Sequence, residues 1–265
     1  GKVGFALHLP IKRIETLTLD GTAQLSDAKL DHSAYNLHFL NADGPLRFNQ
    51  KGFAADQLDV SFRDRKAKLS IAIGNYVSDP KNVFEATLQG QFPAATEFAD
   101  VPVLIQMLGA FPGESAWTAQ VGVIAPDNVP VHGQLVVNSD LRGIAIDLPA
   151  PLAKDASSAL PFRLNLSLPY AGQAFAATLG DLVGVNGRLP DANRAFAARI
   201  DFGSQTPAEP PASGIVIGGH VERLDAGGWL DQVTRDRSTG SSLVNSLDVR
   251  ADAFPFDTRH FPDMR

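Results

Sequence analysis

Apolar side chains recur at every second position in one short segment after another of this chain, and Gly, Pro, Asn and Asp punctuate the segments. A period of two puts alternate side chains on one face of a strand, so the chain has to build sheet and has to bury one face of it. The stretch 133–152, GQLVVNSDLRGIAIDLPAPL, shows the pattern in compressed form. Leu135 and Val137 alternate with polar or smaller neighbours, Asn138, Ser139 and Asp140 supply turn chemistry, and Ile144, Ile146 and Leu148 return at the same period. Pro149 and Pro151 cannot donate to a ladder, so the second strand is expected to end at Leu148. The expectation is a hairpin with one apolar face.

The same logic runs along the chain. Phe5, Leu7 and Leu9 alternate up to Pro10. Leu17 and Leu19 run into Asp20-Gly21, and Leu37 and Phe39 lead to Asp43-Gly44-Pro45; both are read as turns. Leu58, Val60 and Phe62, then Leu69, Ile71 and Ile73, continue a meander. From Ala99 to Phe111 the spacing of Val101, Leu104, Ile105 and Leu108 changes to that of a helix, with Asp100 as cap, read as a plug over one end of the core. Phe162, Leu164, Leu166 and Leu168 give the cleanest alternation. Leu224 to Leu230 opens a second short helix with Asp225 as cap. Ser204 to Ser213, SQTPAEPPAS, has the composition of an exposed loop or linker. Three segments follow, 1–95, 96–203 and 204–265, with one continuous sheet expected to cross both boundaries. The opening inside a strand and the end at HFPDMR suggest a piece of a longer protein.

Composition narrows the function. A formal charge of -6, from 23 basic and 29 acidic residues, argues against a nucleic-acid surface. The absence of cysteine removes disulfides, thiolate metal sites and cysteine nucleophiles. No apolar run reaches the roughly 18 residues of a spanning helix. Motifs of zinc peptidases, serine hydrolases, P-loops and dinucleotide sites are missing. His8, His32, His38, His132, His220 and His260 are dispersed, and Asp27 with Asp31 reads as a solvated edge or turn. No enzyme, cofactor or metal is expected.

What remains is roughly a dozen strands, each with an apolar face, and two short helices to cover them. Either the sheet closes on itself, or it curls without closing and leaves an apolar trough. Each large side chain left wet forfeits about 1.5 to 3 kcal/mol, so an open trough has to hold something apolar. The expected class is mainly β, a long curled antiparallel sheet forming a taco-like or partly open barrel groove.

The segments GESAWTAQVGVIAPDN (113–128) and VNSDLRGIAIDLPAPLAKDASSALPFRLNLSL (137–168) resemble the AsmA-like envelope proteins of the YhdP type. The match is closest at the Ser-Asp-Leu-Arg-Gly turn, at Asp147-Leu148-Pro149-Ala150-Pro151-Leu152 and at Lys154; Leu224-Asp225 with Trp229 fits a Leu-Asp-x-x-x-Trp element. Asp155 departs from the pattern, where proline is expected. The resemblance implies a periplasmic bridge of Gram-negative bacteria, anchored in the inner membrane by a helix outside this chain. It also implies a groove that carries phospholipid between inner and outer membranes, with acyl chains as partners and no catalytic residues. On that reading Leu135, Val137, Ile144, Ile146, Leu148, Leu164, Leu166 and Leu168 line the groove. The alternatives are a non-enzymatic structural or interaction module with a closed β core that assists outer-membrane assembly, and a carbohydrate-acting β protein. The second would need a carboxylate pair and aromatic platforms from a chain with two Trp and three Tyr.

Overall fold

In a computed structural model the chain is described over residues 2–8, 18–32, 37–94, 111–127, 130–229 and 244–253. Fourteen strands among these residues form one sheet whose spatial order is the chain order. They are β1 (Lys2–His8), β2 (Thr18–His32), β3 (Leu37–Asn49), β4 (Gly52–Phe62), β5 (Arg65–Gly74), β6 (Phe84–Pro93) and β7 (Glu114–Ile124). The second half comprises β8 (His132–Ser139), β9 (Phe162–Leu168), β10 (Ala174–Leu179), β11 (Val183–Arg188), β12 (Ala197–Phe202), β13 (Gly214–Arg223) and β14 (Val244–Ala253). A single helical turn at 226–229 follows β13, with the Asp225 carboxylate accepting the Gly228 N–H at 2.9 Å as the cap expected. The helix read at Ala99 to Phe111 lies almost wholly outside the described residues.

The mainly β class holds. The sheet is antiparallel from β1 to β12, but β12, β13 and β14 run parallel to one another. β1 and β14 are its two edges, and strands in extensive contact are all neighbours in the order. The sheet therefore neither closes into a barrel nor curls tightly enough to bring distant strands together, which corrects the expected taco-like or partly open barrel groove.

Register explains why alternation was so persistent. One rung runs Leu58, Leu69, Leu88, Ala119, Val137, Leu164, Ala177, Val185, Ile200, Ile217, Leu247 from β4 to β14. The adjacent rung, offset by one residue, runs Asp59, Lys68, Gln89, Thr118, Asn138, Arg163, Thr178, Gly184, Asp201, Gly218, Asp248. One face is apolar across the sheet and the other polar, and a slip of one residue anywhere would exchange them.

Two expected turns are strand interior. Asp20-Gly21 lies in β2 and Asp43-Gly44-Pro45 in β3. Gly21 sits opposite Phe48, whose ring covers it so closely that a Cβ there would lie 2.2 Å from a ring carbon. Turn chemistry in β2 to β4 is instead spent on bulges, with Asp27, Asn41 and Gln57 at φ of 50°, 52° and 52°. The Asp27 N–H donates to the Asp43 carboxylate and the Gln57 N–H to the Ser70 hydroxyl, each at 3.1 Å. Each bulge adds a residue and bends its strand, which keeps Ala55 and Leu58 on the same face despite their odd spacing.

Residues 204–213 return the chain from the end of β12 to the start of β13, as a parallel pair requires. They cross the polar face: the Asn186 amide donates to the Pro207 carbonyl and Arg188 to the Ala212 carbonyl, both at 2.7 Å. Beneath them the Arg199 guanidinium holds the buried Asp201 carboxylate at 2.7 Å.

Candidate functional site

The apolar face is the feature with a function to explain, since among the described residues every strand lies in the same sheet and no second sheet packs on it. Its burial is uneven. Toward one rim the large rings meet two strands apart over small residues. Trp117 and Phe162 lie 5.7 Å apart, each paired in register with Ser139, and Phe62 meets Phe92 edge-on at 5.9 Å. Such contacts cover the face from within. Toward the other rim, Ile71, Ile73, Phe84, Leu88, Val121, Val123 and Leu135 of β5 to β8 are only half-buried. That leaves a band of apolar side chains in contact with solvent.

The eight residues expected to line a groove occupy this face in two ways. Leu135, Val137, Leu164, Leu166 and Leu168 stand on β8 and β9, and all but Leu135 are buried. Ile144, Ile146 and Leu148 do not belong to a second strand of a hairpin that turns at Asn138-Ser139-Asp140. The chain keeps its direction there: Leu141 and Gly143 take φ of 53° and 91°, the Ser139 hydroxyl accepts the Leu141 N–H, and the Asp140 carboxylate accepts the Arg142 N–H. The result is a kink, after which Ile144 bridges Gly113, the residue before β7. Ile146 then pairs with Lys154, the Gly143 N–H reaches the Ala156 carbonyl, and the Leu160 N–H reaches the Asp140 carbonyl. So β8 and β9 are the base of a long irregular hairpin, and Pro149 to Leu152 form its tip.

The tip leans toward β13. The Ala150 carbonyl accepts the Trp229 indole N–H at 3.0 Å and the Asp225 N–H at 3.2 Å, and Leu152 packs on the cluster of Val183, Phe202 and Val221. Ile144 and Ile146 are 0% and 3% exposed. They share one cluster with Val137, Leu164 and Leu166, so this hairpin fills the apolar face from β8 to β13. Lys154 holds it: its ammonium donates to the carbonyls of Leu141, Ile144 and Asp155 at 2.8, 2.7 and 3.0 Å. Sequence reading noted Lys154 only for its resemblance. Ile71, Phe84 and Val121 were not among the residues expected to line the groove, although their period of two was the available signal.

Among the described residues the shifted carboxylates sit in surface ion pairs and turns. Among the described residues no cluster of three His, Cys, Asp or Glu could hold a metal, and no helix is long and apolar enough to cross a membrane. Asp31 binds His38 at 2.7 Å and Lys29 at 3.1 Å, and these two lower its pKa, His38 foremost. In the loop before β12, the Arg194 guanidinium, helped by the Asn193 N–H, holds the Asp191 carboxyl at about 2. A lowered carboxyl favours the folded loop at neutral pH, and this contribution is lost as pH falls from the ordinary range near 4 through about 2. A carboxyl-carbon NMR titration should place the Asp191 inflection near that value and raise it toward the ordinary range in Arg194→Ala, where the backbone donors of residues 193 and 194 remain.

Compared with known proteins, the chain matches the family model described as YhdP protein over residues 1–265. No curated protein and no solved structure matches it.

Proposed function

Because this chain belongs to the YhdP family, we propose that it is a segment of a periplasmic lipid track whose apolar face carries phospholipid acyl chains between the inner and outer membranes of the cell envelope. The observation that carries this reading is the unbroken apolar face from β4 to β14, backed by an equally unbroken polar one. A globular sheet ordinarily buries such a face under helices or a second sheet. Here the half-buried band of β5 to β8 has neither among the described residues. Acyl chains suit it, because each methylene removed from water contributes about 0.8 kcal/mol and needs no directional partner. The track is a shallow, open one, and head groups stay in water along it. Chemistry is not part of the role, and membrane anchoring belongs to a longer polypeptide.

A non-enzymatic assembly module with a closed core is the competing reading, and it draws on the hairpin that fills the face from β8 to β13. A photoreactive benzoylphenylalanine at Leu135, with Gln134 on the opposite face as control, separates the two. Expression in a Gram-negative envelope followed by irradiation should attach phospholipid at Leu135 and not at Gln134, and native mass spectrometry of the purified protein should show co-purifying phospholipid. Protein that is lipid-free in both measurements would sink the track and leave the module.

A further inference from the structure

The apolar rung of the sheet continues from Ala119 of β7 through Val137 and Leu164 to Ile217 of β13. From β8 onward, however, the hairpin 140–161 fills the face. An acyl chain lying on the half-buried band of β5 to β8 therefore meets the hairpin at β8.

The hairpin is held tightly at one end and lightly at the other. At its base Gly113 and Gly143 approach so closely that a Cβ on Gly113 would lie 2.0 Å from the Gly143 carbonyl oxygen. The Ala145 N–H donates to the Pro112 carbonyl at 3.0 Å, and Leu141, Ile144 and Ile146 are buried. At the tip, Leu148 to Leu152 are only half-buried. Among the described residues, the hydrogen bonds from the tip to other elements all end on one carbonyl, that of Ala150, and come from the Trp229 indole and the Asp225 N–H. The rest of the tip's hold is apolar contact, with Leu152 resting on Val183, Phe202 and Val221. Such contact is non-directional, so a methylene chain can replace it with little change in the apolar surface left in water. Lys154 keeps the hairpin in shape wherever the tip lies, because the three carbonyls its ammonium holds, those of Leu141, Ile144 and Asp155, all belong to the hairpin.

Resting on the lipid-track reading, we propose that this hairpin is a hinged lid on the track. It pivots where Gly113 meets Gly143, its tip lifts from β13, and an acyl chain takes the place of the tip over β11 to β13. The Ala150 carbonyl is the latch. Closed, the lid keeps that half of the face out of water when no lipid is present, and confines lipid to β5 to β8.

The chain contains no cysteine, so a single engineered disulfide can lock the lid. A Cβ on Gly228 would lie 3.0 Å from that of Pro149, a little inside the roughly 3.8 Å of a disulfide, which suits Pro149→Cys with Gly228→Cys. The purified protein, oxidised or reduced with dithiothreitol, is irradiated with phosphatidylethanolamine vesicles carrying a diazirine in the acyl chain, and labelled peptides are mapped by mass spectrometry. Reduced protein should carry label on β5 to β8 and on β11 to β13. Oxidation should cut the label on β11 to β13 by about tenfold or more and leave that on β5 to β8 unchanged. The Asp225 carboxylate has to turn aside for a side chain at Gly228, so Trp229→Phe supplies an independent arm. It removes one of the two latch hydrogen bonds and should raise the β11 to β13 label about threefold over the native protein. Label on β11 to β13 that ignores both the disulfide and Trp229→Phe would overturn the lid and leave the track. So would label confined to β5 to β8 in every form of the protein, whereas protein unlabelled throughout would overturn both.

Discussion

Phe92→Ala should destabilise the protein by about 3 to 5 kcal/mol, the range for deleting a buried aromatic ring. Phe92 is 1% exposed and lies where several devices of the sheet converge. Its ring stands edge-on to Phe62 of β4, and its carbonyl accepts the buried indole N–H of Trp117 at 2.9 Å. It also covers Gly90 of its own strand, so that a Cβ there would lie 2.5 Å from a ring carbon. Glycine is weak in a strand interior because it has no side chain to pack, and here the neighbouring ring supplies the missing cover. That makes the result checkable in sign as well as size. Gly90→Ala alone should destabilise by colliding with the ring, yet in the Phe92→Ala background the same change should cost less or become favourable. Urea midpoints for the four proteins close the cycle, and additive effects would mean that ring and glycine are not coupled. Val83→Ala, at an exposed loop position, should leave the midpoint unchanged.

The strands were legible because, outside the bulges of β2 to β4 and the shift at Ile215, the register keeps the rule by which they were read. Wherever Leu, Ile, Val or Phe alternated with polar residues, as in Phe162 to Leu168, one rung of the sheet required it. Local turn chemistry was the weaker guide. Asp-Gly at 20–21 and Asp-Gly-Pro at 43–45 mark turns in isolation, but Gly21 is needed under Phe48, and Asp43 supplies the acceptor for the Asp27 bulge. These uses depend on a neighbouring strand and leave no trace in local sequence. The same holds for the parallel run of the last three strands, because alternation carries no information on direction. Of the candidate site, the face of Leu135, Val137, Leu164, Leu166 and Leu168 follows from parity alone. The burial of Ile144 and Ile146 depends on where the chain reverses, and that is decided by Lys154 and Ala150, whose partners are distant in sequence.

Ile144→Asp should release the hairpin extension while leaving the sheet intact. The side chain is fully buried, and a carboxylate placed there has no ready partner. Lys154 is the nearest cation on this hairpin, but an ammonium has three N–H donors and all three are committed to the carbonyls of Leu141, Ile144 and Asp155. Burying the charge would cost several kcal/mol. Residues 140–161 offer a cheaper escape, since beyond β8 and β9 they hold their place through isolated bridges rather than a continuous ladder. The expected loss is therefore local. Hydrogen exchange at the amides of Gly143, Ile146, Lys154 and Leu160 should accelerate by about two orders of magnitude or more, while amides in β4 to β6 keep their protection. Trp229→Phe, which removes one of the two hydrogen bonds to the Ala150 carbonyl, should produce a smaller change of the same pattern. Equal loss of protection in β4 to β6 would show that the hairpin and the sheet are one cooperative unit. Confined loss would make the hairpin a separable cover on the β8 to β13 half of the apolar face, and would mark β5 to β8, where no such cover lies among the described residues, as the stretch that the proposed track offers to an acyl chain.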